Sequence, residues 1–434
     1  MVESKPRTNG SIGIDLNGAP AAEPIPKLSG DLRPLIPTLG LRNYWYPAIE
    51  ARRVRGKPVQ VRMLGESLCF FRGKAGDVVA LQDVCPHRGA LLSEGHCHYP
   101  GTVACPYHGW VFDERGRNVA VLSEGPGSGV CGKPGTEAQV YPTRELKGVV
   151  FVWIGDGEPA PIEEDVPAEF FDPDALVLHG VTYWKCNWEV ALENSMDSHP
   201  NYLHRDALVM LARTAVPPRG GLGDKPIFTG NGFSGDLLHS QVTKPQPPQD
   251  EYPELGWKWP KHRYRRHWGK LLQPFLTGLT KTIPTVSSPQ WATGHRLPGM
   301  FRTAFWFGLY TRQTVPVEDK LTRLWYFHYL QPKDRLDRLR KMHDYYLLHK
   351  WLIIDNFSRQ DTSVMLNQRF DAPEKLSSTD AEIIQWRKLV VTKHYGGRNA
   401  PFAYRNPDGL TPEEVPLSRI YRQSLKQDTG RRCR

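Results

Sequence analysis

The sequence has no apolar run approaching the about eighteen residues that a membrane-spanning helix needs, and no charged-then-apolar leader at Met1. Neither a membrane span nor a secretory signal is expected, and the expected location is the cytoplasm. Cysteine is scarce and odd in number, 7 in 434 residues, which argues against a disulfide framework. Cys69, Cys131 and Cys186 read as small buried residues or unpaired thiols. There is no dinucleotide fingerprint. The run Gly125-Pro126-Gly127-Ser128-Gly129 lacks the strand before and the helix after that a phosphate cradle requires, so it reads as a loop. No recognisable nucleic-acid-binding motif accompanies the charge of +10, from 56 Lys and Arg against 46 Asp and Glu. That surplus suits an acidic protein partner and steers its approach. Neither a nucleic-acid nor a membrane partner is expected.

With 39% hydrophobic and 24% charged residues, the chain is long enough for two domains, each with a core. Its most informative stretch runs from Cys85 to Trp110. Cys85-Pro86-His87-Arg88-Gly89 and Cys105-Pro106-Tyr107-His108-Gly109-Trp110 form C-x-H and C-x-x-H pairs, each followed by a Gly turn. Two thiolates and two imidazoles suit a two-iron cluster, with cysteines on one iron and histidines on the other. A tetrahedral Cys2His2 zinc site uses the same residue types, but its usual C-x2-4-C and H-x3-5-H spacings do not occur here. His96-Cys97-His98 offers a competing zinc draft. Pro86 and Gly89 define the turn at Cys85 better, so Cys97 reads as structural.

Residues 1 to about 30, poor in aromatics, predict a mobile arm, and the arm as a whole is assigned to residues 1–39. The aromatic cluster at Tyr44-Trp45-Tyr46 marks the entry into a small β domain over 40–158. Val59–Met63 alternates apolar and polar residues, and a turn over Leu64–Ser67 leads into Leu68–Phe71, which predicts a hairpin; Val78–Leu81, Val119–Leu122 and Val149–Ile154 predict further strands. The breaker-rich run from Gly155 to Pro161 predicts a boundary, with a second domain over 159–434. There, Trp188, Leu192 and Ser195 recur at helical spacing. Beyond them come Asp197, His199 and His204. Two histidines and a carboxylate downstream of an electron-delivering cluster suit a site that leaves open positions on Fe(II) for O2. Residues five apart on a straight helix diverge by about 140°, and Pro200 disfavours helix at His199, so joint ligation requires a broken or bulged helix.

Phe301–Tyr310 and Leu324–Leu330 predict antiparallel strands, the latter with one face on a core. The basic, aromatic segment Trp257 to Trp268 reads as a solvated loop or docking face rather than a single-strand binder. From Asp334 the pattern is helical. Leu339, Met342, Tyr346, Ile353 and Phe357 predict one apolar stripe whose continuation reaches Asp361, which should face inward and be paired or bind metal. Asp355 falls on another face and reads as exposed or capping. A last helix is predicted over about 380–395, with a polar, basic tail after it.

The Cys85–Trp110 segment resembles a Rieske [2Fe-2S] motif, and the positions of the extra disulfide cysteines of respiratory Rieske proteins hold Ala90 and Tyr107. With both sites in view, the chain resembles the α-subunit of Rieske non-haem iron oxygenases, the carbazole dioxygenase type above all. Arg42–Pro47, Gly155–Pro159, Phe357–Asp361 and Trp386–Leu389 carry that likeness. The resemblance implies an α+β fold, an all-β Rieske domain plus a catalytic domain of antiparallel sheet flanked by helices. It implies Cys85, His87, Cys105 and His108 as cluster ligands, and His199, His204 and Asp361 as ligands of a mononuclear Fe(II). It also implies Asp197 as the link to a cluster histidine of a neighbouring subunit, although here Asp197 precedes the first histidine by two residues where the family commonly has three. Phe357 should line the substrate pocket. The assembly is expected to be a homotrimer fed from NAD(P)H through a flavin reductase, a ferredoxin or both, hydroxylating a largely apolar or aromatic organic molecule with O2. Two alternatives stay open: a Rieske electron carrier fused to a non-catalytic binding domain, and a zinc-stabilised interaction module.

Overall fold

The computed structural model describes residues 31–155, 158–196, 203–204, 207, 237–239, 251–252, 257–258, 294–305, 308–369, 372–377 and 380–396. The first part is all β. Its strands are β1 (Tyr44–Glu50), β2 (Val59–Met63), β3 (Glu66–Arg72), β4 (Val78–Gln82), β5 (Thr102–Ala104), β6 (Trp110–Asp113), β7 (Asn118–Val121), β8 (Val140–Tyr141), β9 (Thr143–Leu146) and β10 (Val149–Ile154). They form three small sheets, ordered β1-β10-β9, β2-β3-β4-β8 and β5-β6-β7. The expected hairpin is present as β2 and β3. At its turn Leu64 and Gly65 adopt φ of 51° and 75°, the mirror-image geometry that matches strand twist. A leucine is held there because its side chain is buried and its N–H bonds Pro316 O at 2.8 Å, docking the turn on the second half of the chain.

The second half is built on β11 (Leu176–Trp184), followed by α1 (Trp188–Glu193), β12 (Leu237–His239), β13 (Glu251–Tyr252), β14 (Trp257–Lys258), β15 (Gly294–Arg296), β16 (Met300–Phe305), β17 (Gly308–Glu318) and β18 (Leu321–Leu330). The six-stranded sheet is antiparallel, in the order β11-β18-β17-β16-β15-β12. Helices α2 (Arg335–Asp344), α3 (Ser358–Met365) and α4 (Ala381–Gly396) complete it, with two π-helical stretches, Tyr345–His349 and Trp351–Phe357, between α2 and α3. The expected α+β architecture is thus present. The arm over 1–30, Asp197, His199, most of 210–293 including 259–268, and the tail from 397 lie outside the described residues. Residues 31–39, expected to belong to the arm, are packed: Leu32 and Ile36 are buried, and Trp188 Nε1 donates to Pro37 O at 2.9 Å.

Two expectations need correction. The Leu324–Leu330 strand does not have one wet face, because β18 is buried at every position from Thr322 to Leu330. Trp325, Phe327 and Tyr329 join the core shared with β1 and β10, while Leu324 and Tyr326 join Leu352, Ile353 and Met365 on the helical side. The strand is a septum between two cores, each large buried side chain contributing about 1.5–3 kcal/mol. Nor does one apolar stripe run from Leu339 to Asp361. Leu339 is 57% and Tyr346 54% exposed, whereas Ile353 is buried. A π turn holds more residues than an α turn, so the two π stretches shift the phase of the helix before α3. Asp361 does face inward, with 2% exposure, and Asp355 is exposed as expected.

Candidate metal centres

The two Cys/His loops are near copies. In each, the cysteine N–H bonds the carbonyl beyond the turn, Cys85 to Ala90 at 2.8 Å and Cys105 to Trp110 at 2.8 Å. In each, the Gly N–H closes back on the cysteine carbonyl, Gly89 on Cys85 and Gly109 on Cys105. Gly89 and Gly109 have φ of 76° and 64°, and a Cβ on Gly109 would lie 2.8 Å from Leu122 Cβ, so the second turn is closed to larger residues. Cys85 and Cys105 are buried in one small core with Phe71, Leu81 and Phe112, and neither forms a disulfide. Cys97 packs at the edge of that core. Cys85 donates to Cys105, which lowers the Cys105 thiol to about 6, helped by the N–H groups of Tyr107 and His108. The same contact pushes Cys85 up.

His87 lies outward, its ring 4.6 Å from that of His108 and stacked at 4.9 Å on Trp110. Two sulfurs inside and two neighbouring imidazoles outside fit a cluster with a cysteine iron and a histidine iron. Upstream, the buried Asp83 accepts from Gln60 at 2.7 Å, Ser67 at 3.1 Å and both the N–H and Oγ of Ser93 at 2.7 Å, tying down the first loop two residues before Cys85.

The second centre joins distant segments. His204 Nε2 lies 3.0 Å from Asp361 Oδ1, and both side chains are sealed from solvent. Two donors bound at right angles to one metal at about 2.1 Å would stand at this separation. The His204 ring stacks on Phe357 at 3.6 Å, its Nδ1 is 3.1 Å from Gln360 Oε1, and Asn194 Nδ2 is 3.4 Å from Asp361 Oδ1. Among the described residues no group of three metal donors forms. The third expected donor, His199, and Asp197 lie outside them.

Helix α1 leads to this centre, capped by Asn187 accepting from Glu189 N at 2.9 Å. Its end is held by two buried networks that sequence reasoning missed. Arg387 on α4 grips Glu193 through two bonds of 2.6 and 2.7 Å and Glu374 through two of 2.7 and 3.0 Å. Ser195 Oγ lies 2.9 Å from His295 Nε2, whose Nδ1 is 2.7 Å from Glu382 Oε1. The Ser195–His295 and Glu193–Arg387 links join residues 100 and 194 positions apart, and no local periodicity signals them.

Residues 44–130 match the Rieske [2Fe-2S] domain family, and residues 153–226 match the family described as homotrimeric ring hydroxylase. The terminal oxygenase component of carbazole 1,9a-dioxygenase from Sphingomonas sp. is 29% identical over 384 residues, covering 83% of this chain and 94% of the relative. The terminal oxygenase of carbazole 1,9a-dioxygenase from Nocardioides aromaticivorans superposes with a TM-score of 0.70 at 26% identity, over 85% of this chain and 97% of the other. By sequence and by structure the chain is a homologue of the Rieske non-haem iron oxygenases, with a Rieske domain followed by a ring-hydroxylase segment. A carbazole-bound oxygenase in complex with ferredoxin, 22% identical, shares the fold with a TM-score of 0.69 over 86% of this chain and 94% of that one. This oxygenase is a terminal component with a [2Fe-2S] cluster and a mononuclear non-haem iron as cofactors, so neither the electron-carrier nor the zinc-module alternative is retained. Among its described residues no helix is long and apolar enough to cross a membrane.

Proposed function

We propose that Cys85, His87, Cys105 and His108 hold the cluster, that His204 and Asp361 with His199 hold the mononuclear iron, and that the oxygenase hydroxylates a planar, largely apolar aromatic substrate. The observation that carries this reading is the buried His204–Asp361 pair at 3.0 Å, an imidazole and a carboxylate from distant segments at the separation of two donors on one metal. When bound, the cluster supplies single electrons and the mononuclear iron supplies the site where O2 is activated.

The residues of the chain divide that work. Cys85 and Cys105 bury the sulfur side, while His87 and His108 form the tip at which electrons pass. Phe357 covers one face of His204 and serves as an apolar wall for the substrate. Asp361, fixed by Asn194, holds a negative charge where a divalent ion needs one. Asp197 links the iron segment to a cluster histidine of the next subunit in a homotrimer, the assembly named for the family matched by residues 153–226. An acidic ferredoxin, reduced from NAD(P)H by a flavin reductase, docks on the basic surface, and turnover falls as salt rises. The proposed location is the cytoplasm, where free thiols and NAD(P)H are at hand.

The test is product analysis with a panel of polycyclic and heterocyclic aromatics, using the wild type and Asp361→Ala with a ferredoxin and reductase. Hydroxylated product from the wild type alone, with the cluster spectrum unchanged in the variant, is the expected result. Equal turnover by Asp361→Ala would refute the ligand assignment.

A further inference from the structure

We propose that Gln360 is a positioning residue for the mononuclear iron: its side-chain oxygen takes the Nδ1 proton of His204 and thereby reserves Nε2, the nitrogen facing Asp361, for the metal. The inference rests on the reading of His204 and Asp361 as iron ligands and adds to it the device that sets the donor atom.

An imidazole can bind a metal through either nitrogen, and the choice is set by the hydrogen bond that the other one makes. Around His204 three contacts divide this task. Phe357, stacked at 3.6 Å with an interplanar angle of 19°, fixes the plane of the ring. A stack of that kind does not distinguish the ring from the same ring turned over within its plane. Gln360 Oε1, 3.1 Å from Nδ1, makes the distinction, because an amide oxygen only accepts and so requires the proton on Nδ1. Asp361 Oδ1 then stands 3.0 Å from Nε2.

Gln360 and Asp361 are consecutive on α3, and consecutive residues on a helix point about 100° apart. One turn of helix therefore presents an acceptor to one nitrogen and a metal-binding carboxylate beside the other. The acceptor is also uncharged. A carboxylate in its place would make the imidazole a stronger donor, whereas the amide orients the ring and leaves the charge of the site to Asp361. Full burial of His204 removes the competing solvent that could otherwise satisfy Nδ1 in a flipped ring.

The test uses the full-length holoprotein with its cluster intact, stripped of mononuclear iron by dialysis against a chelator and titrated anaerobically with Fe(II) and, separately, with Co(II). Gln360→Leu keeps the size and helix propensity of the side chain but has no acceptor. Gln360→Glu keeps the acceptor. Gln360→Leu should bind Fe(II) roughly 10- to 100-fold more weakly and change the Co(II) ligand-field bands, with the Rieske spectrum unaltered. Gln360→Glu, which keeps an acceptor on Nδ1, should bind Fe(II) at least as tightly as the wild type. Wild-type affinity and Co(II) bands in Gln360→Leu, alongside loss of binding in His204→Ala, would overturn the inference and leave the ligand reading standing. Equal loss in the Leu and Glu variants would overturn it too, assigning Gln360 to packing. Undiminished binding in His204→Ala would overturn the ligand reading and this inference together.

Discussion

The two metal centres of this oxygenase are assembled in opposite ways. The cluster loops are local, two hairpin tips from one short stretch whose turns close on their own backbone. The proposed mononuclear centre takes its parts from the end of α1, from His204 and from α3, and these are steadied from α4 by Arg387 and Glu382. In the first the cysteines are buried, His87 is exposed and His108 half-buried, whereas His204 and Asp361 of the second are both buried. A local site tolerates damage elsewhere in the fold, and a composite site does not.

That contrast can be broken most sharply at the cluster. Cys105→Ser should abolish the [2Fe-2S] visible and EPR signals while the mononuclear site still binds Fe(II). Loss of both metals would show that the centres are not independent. The next largest effect is expected at Arg387, which is 3% exposed. Arg387→Met leaves Glu193 without its buried partner and should cost about 3–5 kcal/mol in thermal or denaturant unfolding. In the folded fraction it should lower mononuclear iron content and leave cluster content unchanged.

An acid titration sharpens the picture of the sheet that separates the two cores. Burial lowers His328 on β18 from 6.5 to about 3. The unfolded chain takes up that proton near the ordinary value and the folded chain only near the lower one. The contribution is therefore fully present above about pH 6.5 and is lost as pH falls toward 3, by an amount on the order of 5 kcal/mol. His328→Leu should flatten this part of the stability-versus-pH curve. An unchanged acid slope would mean that His328 is not the group responsible. A last pair of variants, which includes the smallest expected effect, tests the helix phase. Ile353→Ala should cost about 2–5 kcal/mol, while Leu339→Ala, on the exposed face, should stay within about 0.5 kcal/mol. Comparable losses at both positions would restore the single stripe.

The same division explains what could be read from the sequence. The Cys85 and Cys105 loops were legible because spacing, proline and glycine encode them within a few residues. The β2–β3 hairpin and α4 were legible through their periodicity. Asp361 was placed correctly as inward-facing, but by extrapolating a straight helix that the π turns interrupt, so the face was right and the path to it was not. The wetness of β18 was misjudged because alternation in a strand does not reveal that a second layer covers its other face. Gln360, Asp83, the Arg387 grip and the Ser195–His295–Glu382 chain were invisible, since each depends on a partner brought near only by the finished fold.

The central claim is that one chain holds two iron centres, one local and one composite. Its most direct test is iron and acid-labile sulfide analysis of wild type and His204→Ala, purified anaerobically in parallel. One iron beyond those of the cluster is expected in the wild type, and loss of that iron alone in His204→Ala, with sulfide and the Rieske EPR signal unchanged. Equal iron content in the two proteins would contradict it.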